Sequence, residues 1–543
     1  MSAPLSRRDF VSLTAAGVAA ASTASSASAG ETRAADADAT RVPREDALFE
    51  KCAAELSAMM ARGALTSRAL VERYLQRIAA MDKQGPAVNA VIELNPQART
   101  IADVLDAERK AGQVRGPLHG IPVLIKDNID TADQMRTTAG SLALADSRPL
   151  QDAFIVQRLR AAGAVILGKT NLSEWANYRS TRSTSGWSGR GGLTRNPYVL
   201  DRNTSGSSSG TGAALASDFA TLGIGTETDG SIISPSGICG LVGIKPTLGL
   251  WSRSGIIPIA ASQDTAGPMC RTVADAAALL GALTGVDPRD GATKASVGKS
   301  LTDYTTFLQP DGLRGKRIGV ARAQAGFNPD VDAAFDAAIA AMKEAGAIIV
   351  DPASLPTPAA LGPAETTVLD YEYKAGLNAY FASRGPDVAV KSLADLIAWN
   401  EREKAREMPW FGQEIMIRAQ KCGPLTDKKY LDARATCLRL TRNFGIDAVM
   451  TKHRLDAIVL PSNQPAWTTD LLNGDHFTGG DTSYAAVSGY PSITVPMGLV
   501  HGLPVGMSFI GRAWSEGALL SYAFAFEQTV KGRRAPNYLK TLG

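Results

Sequence analysis

From about residue 47 onward, the chain alternates short apolar runs with longer segments whose apolar residues recur every three or four positions. Short continuous apolar runs are typical of strands that are buried on both faces of a sheet. This alternation of strand and helix patterns predicts an α/β fold. The runs that predict buried strands cover residues 123–125, 164–167, 318–321, 457–460, 493–495 and 505–510.

Helical periodicity marks several of the segments between these runs. The first two, residues 48–61 and 67–81, are predicted to form an antiparallel pair, with Ser67 as the N-cap of the second helix. No internal repeat and no clean interdomain linker divides the chain, so residues 47–543 are predicted to form one domain. The other predicted helices cover residues 152–162, 273–283, 331–345, 428–452 and 516–531.

The first 29 residues differ from the rest. Arg7 and Arg8 precede a weakly apolar run, and a segment of small residues ends in Ala27-Ser28-Ala29. This order resembles a twin-arginine export signal, and it predicts that the protein is exported to the periplasm or secreted. A disordered tail is the alternative interpretation. Residues 30–46, rich in Ala, Asp and Thr, are predicted to be a linker.

Composition argues against several classes of partner and cofactor. The 57 basic and 53 acidic residues are interspersed and give a net charge of +4, so we expect neither a nucleic-acid partner nor an obligate protein partner. The five cysteines form no C-x-x-C pair, and the four histidines have no ligand spacing, so no metal and no other cofactor is expected. No later apolar run approaches the ~20 residues that span a bilayer, so we expect a soluble mature chain.

Two motif matches are rejected because their context is wrong. Residues 163–170 (GAVILGKT) fit the P-loop pattern, but their apolar centre is a predicted strand and cannot present backbone N–H groups to phosphate. Residues 206–210 (GSSSG) fit the nucleophile elbow of α/β-hydrolases, but no clean apolar strand precedes them. We therefore expect neither nucleotide binding nor an α/β-hydrolase.

A long stretch, residues 190–250, is dense in Gly, Ser and Thr but is interrupted by apolar segments at 213–216 and 220–224. Small residues let backbone amides approach a reacting atom, and the apolar segments could anchor such loops in a core. A set of turns is the simpler interpretation of one such cluster. Two such clusters, together with the lysine-containing segment at residues 116–128, favour an active site.

These segments resemble the amidase signature family. The resemblance extends from about residue 47 to residue 533. It implies one α/β domain with a mixed, twisted β-sheet core surrounded by helices, and hydrolysis of carboxamide bonds without a cofactor. The segments that carry it are SGSSSGTG at 205–212, GTETDGS at 225–231, GLVGIKPT at 240–247 and GPLHGIPVLIKDN at 116–128.

The resemblance implies a catalytic triad of Ser231 as nucleophile, Ser207 as the serine of a cis peptide, and Lys126 as base. A serine hydroxyl needs a neighbouring base, and a lysine can serve if apolar surroundings lower its pKa. The apolar residues 123–125 supply such surroundings. The backbone N–H groups of Thr228, Asp229, Gly230 and Ser231 are then expected to bind the oxyanion.

The motif variants at 205–210 and at Asp229 resemble the bacterial peptide amidase branch, which removes the C-terminal amide of peptide amides. A carboxylate at Asp229, next to the nucleophile, should repel anionic acyl groups and favour neutral amides. Asn177 and Ser208 are candidate substrate contacts, and a helix-capping role is an equal alternative for Asn177.

Other functions stay open at this point. An amidase of the same family could act on aryl amides, carbamates or other small amides, because no motif identifies the pocket residues. A tRNA-amidating subunit would share the triad, but the predicted export signal argues against it. Fatty-amide hydrolysis at a membrane would predict an additional amphipathic or spanning helix, which is not evident. A non-catalytic binding protein on the same scaffold is the alternative from another class.

Overall fold

The computed structural model describes residues 46–385 and 388–542. The predicted export signal, and all of the predicted linker except its last residue, lie outside the described residues. The described chain belongs to one compact unit that begins at Val42.

A mixed sheet of eleven strands forms the centre of the described chain, and two short strands pair separately. The strands are β1 Val91–Leu94, β2 Pro122–Lys126, β3 Val165–Thr170, β4 Trp187–Ser188, β5 Gly192–Leu193, β6 Leu222–Glu227, β7 Val242–Lys245, β8 Thr265–Cys270, β9 Arg317–Val320, β10 Ile348–Val350, β11 Ala457–Pro461, β12 Ser492–Val500 and β13 Leu503–Ile510.

The strand order in the large sheet is β1-β3-β2-β6-β8-β7-β12-β13-β11-β9-β10. Strand β2 runs parallel to β3 and β6, and β9 runs parallel to β10 and β11. The other neighbours are antiparallel, which confirms the predicted mixed sheet. The rejected P-loop segment forms β3, whose residues are all buried, so its assignment to a strand is also confirmed.

Helices surround this sheet in the described part of the chain. They are α1 Ala53–Ala61, α2 Ser67–Met81, α3 Ala98–Lys110, α4 Phe154–Ala161, α5 Ser209–Ala216, α6 Ile233–Ile238, α7 Val273–Ala282, α8 Pro329–Glu344, α9 Leu361–Ser383, α10 Leu393–Arg402, α11 Lys404–Glu407, α12 Glu414–Gln420, α13 Lys428–Leu438, α14 Asp447–His453, α15 Ser483–Ser488 and α16 Glu516–Val530.

The N-terminus of α2 corrects one sequence prediction. Thr66, not Ser67, is the N-cap, because Thr66 has extended backbone and its hydroxyl accepts the N–H of Ala69 at 3.0 Å. Ser67 is the first helical residue, and its hydroxyl donates to the carbonyl of Gly120 at 2.8 Å. The predicted antiparallel pairing of the first two helices is also wrong, since α2 packs mainly against α3.

The predicted helix over residues 428–452 is divided into three segments. Helix α13 ends at Leu438, the π-helical segment Arg439–Ile446 follows, and α14 begins at Asp447. The break lies at Gly445, which has φ −99° and ψ −115°. A Cβ atom at Gly445 would lie 2.7 Å from the Tyr484 ring, so glycine permits this close packing.

A second apolar cluster lies beside the main core and involves α9, α10 and α12. It includes Tyr373 and Phe381 of α9, Leu396 of α10 and Met416 of α12, and it extends to Trp175. The packing of these side chains anchors α9, whose first turns carry Leu361 and Glu365 into the wall of the cavity described below.

Three further properties concern the described residues alone. None of their helices is both long enough and apolar enough to cross a membrane. They contain all five cysteines, and these form no disulfide. They hold no group of three or more His, Cys, Asp or Glu side chains that could bind a metal ion.

Candidate active site

Two neighbouring parallel strands bring Lys126 and Thr226 together. Strands β2 and β6 pair in register at Ile125 and Ile224, so their carboxyl ends meet at the same edge of the sheet. Lys126 is fully buried there. Its Nζ atom lies 2.9 Å from Thr226 Oγ1, 3.2 Å from the Thr226 carbonyl oxygen and 2.8 Å from Ser207 Oγ.

The surroundings of Lys126 lower its basicity. Burial lowers the pKa of the ammonium group from 10.5 to about 7, although the negative charges of Glu227 and Asp264 partly oppose this fall. A group with a pKa of about 7 is neutral in about half of the molecules at pH 7. The side chain can therefore accept a proton at neutral pH, as the sequence predicted for a lysine base.

Ser207 lies in the loop that precedes α5, and the peptide bond between Gly206 and Ser207 is cis. The Ser207 side chain is fully buried, and its carbonyl accepts the N–H of Ser173 at 3.1 Å. A Cβ atom at Gly206 would lie 2.2 Å from Ser173 Oγ, so only glycine fits beside this serine. The structure thus brings Ser207 and Lys126 into the predicted contact.

Ser231 lies in the turn between β6 and α6 and is 7% exposed. Its carbonyl accepts the N–H of Ser208 at 3.2 Å, which ties this turn to the loop that carries Ser207. No hydrogen bond of the described residues joins the hydroxyls of Ser231 and Ser207. Catalytic hydrogen bonds are often long in the free enzyme and shorten when substrate binds.

The turn before Ser231 presents backbone donors. Gly230 has φ +80°, a left-handed conformation that favours glycine. The Glu227 carboxylate accepts the N–H groups of Ile232 and Ile233, at 2.7 and 2.9 Å. The N–H groups of residues 229–231 make no hydrogen bond within the described chain. Such free donors are what an oxyanion hole requires, and Glu227 holds the segment that follows them.

Two predicted site residues have structural contacts. The hydroxyl of Thr228 donates to Asp264 at 2.5 Å. Ser208 is fully buried, and its hydroxyl donates to the Thr226 carbonyl and accepts the Thr226 N–H, at 3.1 and 3.2 Å. This geometry gives no support to the predicted substrate contact of Ser208, which stays a prediction.

A cavity of about 850 Å³ adjoins the turn of Ser231, and its wall includes Gly206 and Gly230. Asn177 also lines it. This residue is the third of three consecutive non-glycine residues with left-handed backbone, at φ +50°, +55° and +69°. Its Nδ2 atom donates to Ser185 Oγ at 2.9 Å, while its buried Oδ1 atom accepts no hydrogen bond. Asn177 therefore lines the cavity and does not cap a helix, and its predicted substrate contact stays a prediction.

Acidic side chains form much of the polar wall of this cavity. Asp229 accepts hydrogen bonds from the hydroxyls of Thr482 and Ser483, and its carboxylate is hydrogen-bonded to Glu365. Burial and the charge of Asp229 raise the pKa of Glu365 well above its usual range. The two carboxyl groups therefore share a hydrogen bond in the wall of the cavity.

Two more carboxylates line the cavity. Burial and the charge of Asp229 raise the pKa of Asp481 to about 6. Burial also raises the pKa of Asp475, whose carboxylate accepts the N–H of Ser185 at 3.0 and 3.1 Å. Glu365, Asp475 and Asp481 were not among the site residues predicted from the sequence, because no motif surrounds them. Isolated acidic residues in polar segments look like ordinary solvent-exposed loops.

The family profile described as Amidase matches residues 69–520. The chain belongs to the amidase family. This confirms the resemblance on which the sequence analysis depended, and the fold agrees with the mixed sheet that it implied. This amidase is therefore an enzyme that hydrolyses amide bonds.

Three similar proteins illustrate the range of the family. A probable amidase of Arabidopsis thaliana is 42% identical over 489 residues, covering 88% of this chain and 89% of the relative. The structure of the peptide amidase from Stenotrophomonas maltophilia is 50% identical with a TM-score of 0.86, covering 91% of this chain and 99% of that one. The structure of an amidase family protein from Bacillus anthracis is 38% identical with a TM-score of 0.82, covering 90% of this chain and 92% of that one.

Proposed function

We propose that this amidase hydrolyses the C-terminal carboxamide of peptide amides through a relay of Ser231, Ser207 and Lys126. The observation that carries the proposal is the contact of the buried Lys126 Nζ atom with Ser207 Oγ at 2.8 Å, together with a lysine pKa of about 7. The 50% identity to a peptide amidase supports the choice of substrate.

The surroundings of Lys126 orient its lone pair. A neutral amine has two N–H donors, and the carbonyl and hydroxyl oxygens of Thr226 lie at 3.2 and 2.9 Å to accept them. The remaining lone pair then faces Ser207 Oγ, the third neighbour of Nζ. Ser207 can donate its proton to Lys126 and accept another from Ser231, so it transfers a proton between nucleophile and base.

In the acylation step, the Ser231 oxygen attacks the amide carbon while its proton passes through Ser207 to Lys126. The carbonyl oxygen gains negative charge, which the free N–H groups of residues 229–231 stabilise. Ser207 then transfers a proton to the departing nitrogen, and ammonia leaves. The product of this step is an ester of Ser231 with the peptide acyl group.

Deacylation repeats the relay with water. A water molecule gives its proton through Ser207 to Lys126, and its oxygen attacks the ester carbon. The proton returns to Ser231 as the ester bond breaks, and the peptide acid is released. The overall change consumes one water and yields one acid and one ammonia, without a redox step.

The cavity supports a peptide-sized acyl group. A space of about 850 Å³ lies within the range of small-molecule sites and can hold a short peptide. Asn177 lines this cavity, and a rotation of its side chain would let its unpaired Oδ1 atom accept a backbone N–H of the substrate. Each further peptide unit offers another N–H donor, whereas a simple aryl amide offers none beyond its scissile group.

Ammonia release from N-acetyl-alanyl-norleucinamide tests the proposal, with aniline release from an anilide and ammonia release from a primary fatty amide measured in parallel. The wild type should release ammonia, and Ser231→Ala should lose at least about a thousandfold in kcat. Ser236→Ala is a matched control, because the Ser236 hydroxyl is buried and has no hydrogen-bond partner. Turnover of the anilide or fatty amide alone would keep the relay and refute the peptide-amide substrate.

We propose also that the protein is exported through its twin-arginine signal, with Arg7 and Arg8 as the recognised pair. Fractionation of cells that produce the full chain should recover activity from the periplasm or the medium. Replacing both arginines by lysine should retain the enzyme in the cytoplasm. Cytoplasmic activity of the unaltered chain would contradict export.

A further inference from the structure

We propose that the cavity beside Ser231 favours amide substrates that carry a cationic group, such as a lysine or arginine side chain of the acyl portion. The inference rests on the proposed function of the Ser231 site, which it deepens by naming a substrate class. Four carboxyl groups, three aromatic rings and an unpaired amide oxygen, all on residues that line the cavity, carry it.

The lining of the cavity is acidic. Asp229, Glu365, Asp475 and Asp481 line the cavity, and none of the described lining residues is Lys, Arg or His. Asp229 and Glu365 share a hydrogen bond in this wall. Asp481 adds another charge above about pH 6. The buried Lys245 interacts with Asp229, but no described lining residue is a cation, so the lining attracts positive charge within the cavity.

Hydrogen-bond acceptors line the cavity. The hydroxyls of Thr482 and Ser483 donate to Asp229, so these donors are already used. The Oδ1 atom of Asn177 is buried and accepts no hydrogen bond. This acceptor is independent of the carboxylates, and a rotation of the Asn177 side chain would present it to a donor in the cavity. The cavity thus offers acceptors to a substrate that is rich in N–H groups.

Aromatic residues also form part of the cavity wall. Trp467, Phe477 and Tyr484 line the same cavity. The rings of Trp467 and Phe477 meet edge to face with centroids 6.1 Å apart, and Phe477 is 50% exposed. An aromatic face next to carboxylates attracts ammonium and guanidinium groups and also packs against their aliphatic stems. A neutral apolar side chain would gain the packing but not the electrostatic attraction.

Acidic walls also distinguish the substrate from the product. Hydrolysis converts the neutral amide group into a carboxylate next to Asp229, and like charges repel each other. The wall thus favours binding of the cationic amide and release of the acid. This extends the expectation drawn from Asp229 alone, which was a preference for neutral over anionic amides.

The test compares three acetylated dipeptide amides of similar size. N-acetyl-alanyl-lysinamide is cationic, the norleucinamide is neutral, and the α-amide of N-acetyl-alanyl-glutamic acid is anionic. We expect kcat/KM to fall in that order, on the order of tenfold at each step. Equal values for the lysine and norleucine substrates would overturn the inference but leave the proposed function intact.

Two variants of the same wall provide a matched comparison. Asp481→Asn removes a charge but keeps an oxygen that can accept the N–H of Ser483, so the lysine-to-norleucine ratio should fall several-fold. Glu365→Gln replaces a carboxyl group whose pKa is raised well above its usual range, so the ratio should fall less than in Asp481→Asn. Glu344→Gln, on an exposed position of α8, controls for the change in net charge. An unchanged ratio in Asp481→Asn would overturn the inference.

Binding gives a readout that does not depend on turnover. The Ser231→Ala variant cannot form the ester, so the dissociation constants of the three amides can be measured by calorimetry. The lysine amide should bind on the order of tenfold more tightly than the norleucine amide. If the wild type hydrolyses none of the three, the proposed function fails, and this measurement still decides the inference. Equal dissociation constants would refute it.

Discussion

The acylation rate of this amidase should depend on pH through a single buried lysine. Lys126 must be neutral to accept a proton, and burial lowers its pKa from 10.5 to about 7. At 1.36 kcal/mol for each pKa unit, this fall corresponds to roughly 5 kcal/mol. A lysine that kept its ordinary pKa would be neutral at pH 7 in roughly one molecule in 3000. Burial thus contributes on the order of a thousandfold to the rate.

The assay is kcat/KM for the neutral norleucine substrate between pH 5 and pH 9. Below the lysine pKa of about 7, the rate should fall about tenfold for each pH unit, and above it the rate should be level. The charge of Asp264 raises the pKa of Lys126. Asp264→Asn should therefore move the acid limb to lower pH, whereas Glu344→Gln on the exposed face of α8 should not.

Several results would refute this reasoning. A rate that stays flat down to about pH 5 would exclude a lysine base, because the amine would be almost fully protonated there. An acid limb that moves to higher pH in Asp264→Asn would contradict the electrostatic account. Lys126→Met should lose nearly all activity at every pH. If the residual kcat/KM of that variant still fell at acid pH as in the wild type, the titrating group would be a residue other than Lys126.

Three further predictions test single contacts. Between pH 7 and pH 10.5 the folded protein binds fewer protons at Lys126 than the unfolded chain, so stability rises with pH there. In urea unfolding, the stability of Lys126→Met relative to the wild type should therefore decrease by roughly 3 kcal/mol between pH 6 and pH 9, and it should level off only above about pH 10.5. Asn177→Gly keeps the left-handed backbone but removes the Oδ1 acceptor, so kcat/KM for peptide amides should fall about fivefold in steady-state kinetics; an unchanged value would contradict the contact. Thr66→Ala removes the acceptor for Ala69 N–H and should cost about 1 kcal/mol in the same unfolding assay, and no change would contradict the assigned N-cap.

Short apolar runs predicted β2, β3, β9, β11, β12 and β13 because such runs are local signals, and each strand begins or ends within a few residues of its run. The contact of Lys126 with Ser207 was implied only by the family resemblance, because the two residues lie 81 positions apart. Helix ends were harder to predict. Thr66 and Ser67 are both good capping residues, and only the backbone conformation distinguishes them. The pattern over residues 428–452 contained no sign that Tyr484 would pack against Gly445.

Contacts between distant segments could not be predicted. Helix α9 is the longest described, but Gly362, Pro363 and Gly376 lower its helix propensity, and no helix was predicted there. The contact between Lys126 and Thr226 follows from the parallel pairing of β2 and β6, which a single sequence does not state. Thr226 could nevertheless have been chosen as a candidate site residue, since it lies within the GTETDGS motif.

The cavity wall and the catalytic relay come from different parts of the gene. Lys126, Ser207 and Ser231 precede residue 232, whereas most of the acidic and aromatic wall lies between residues 323 and 484. Mutations in the later segment can change which amide is accepted while the chemistry is preserved. New substrates can therefore arise in this lineage by drift of the second half alone. Grafting residues 323–484 from a relative onto this chain is the corresponding route for an engineer.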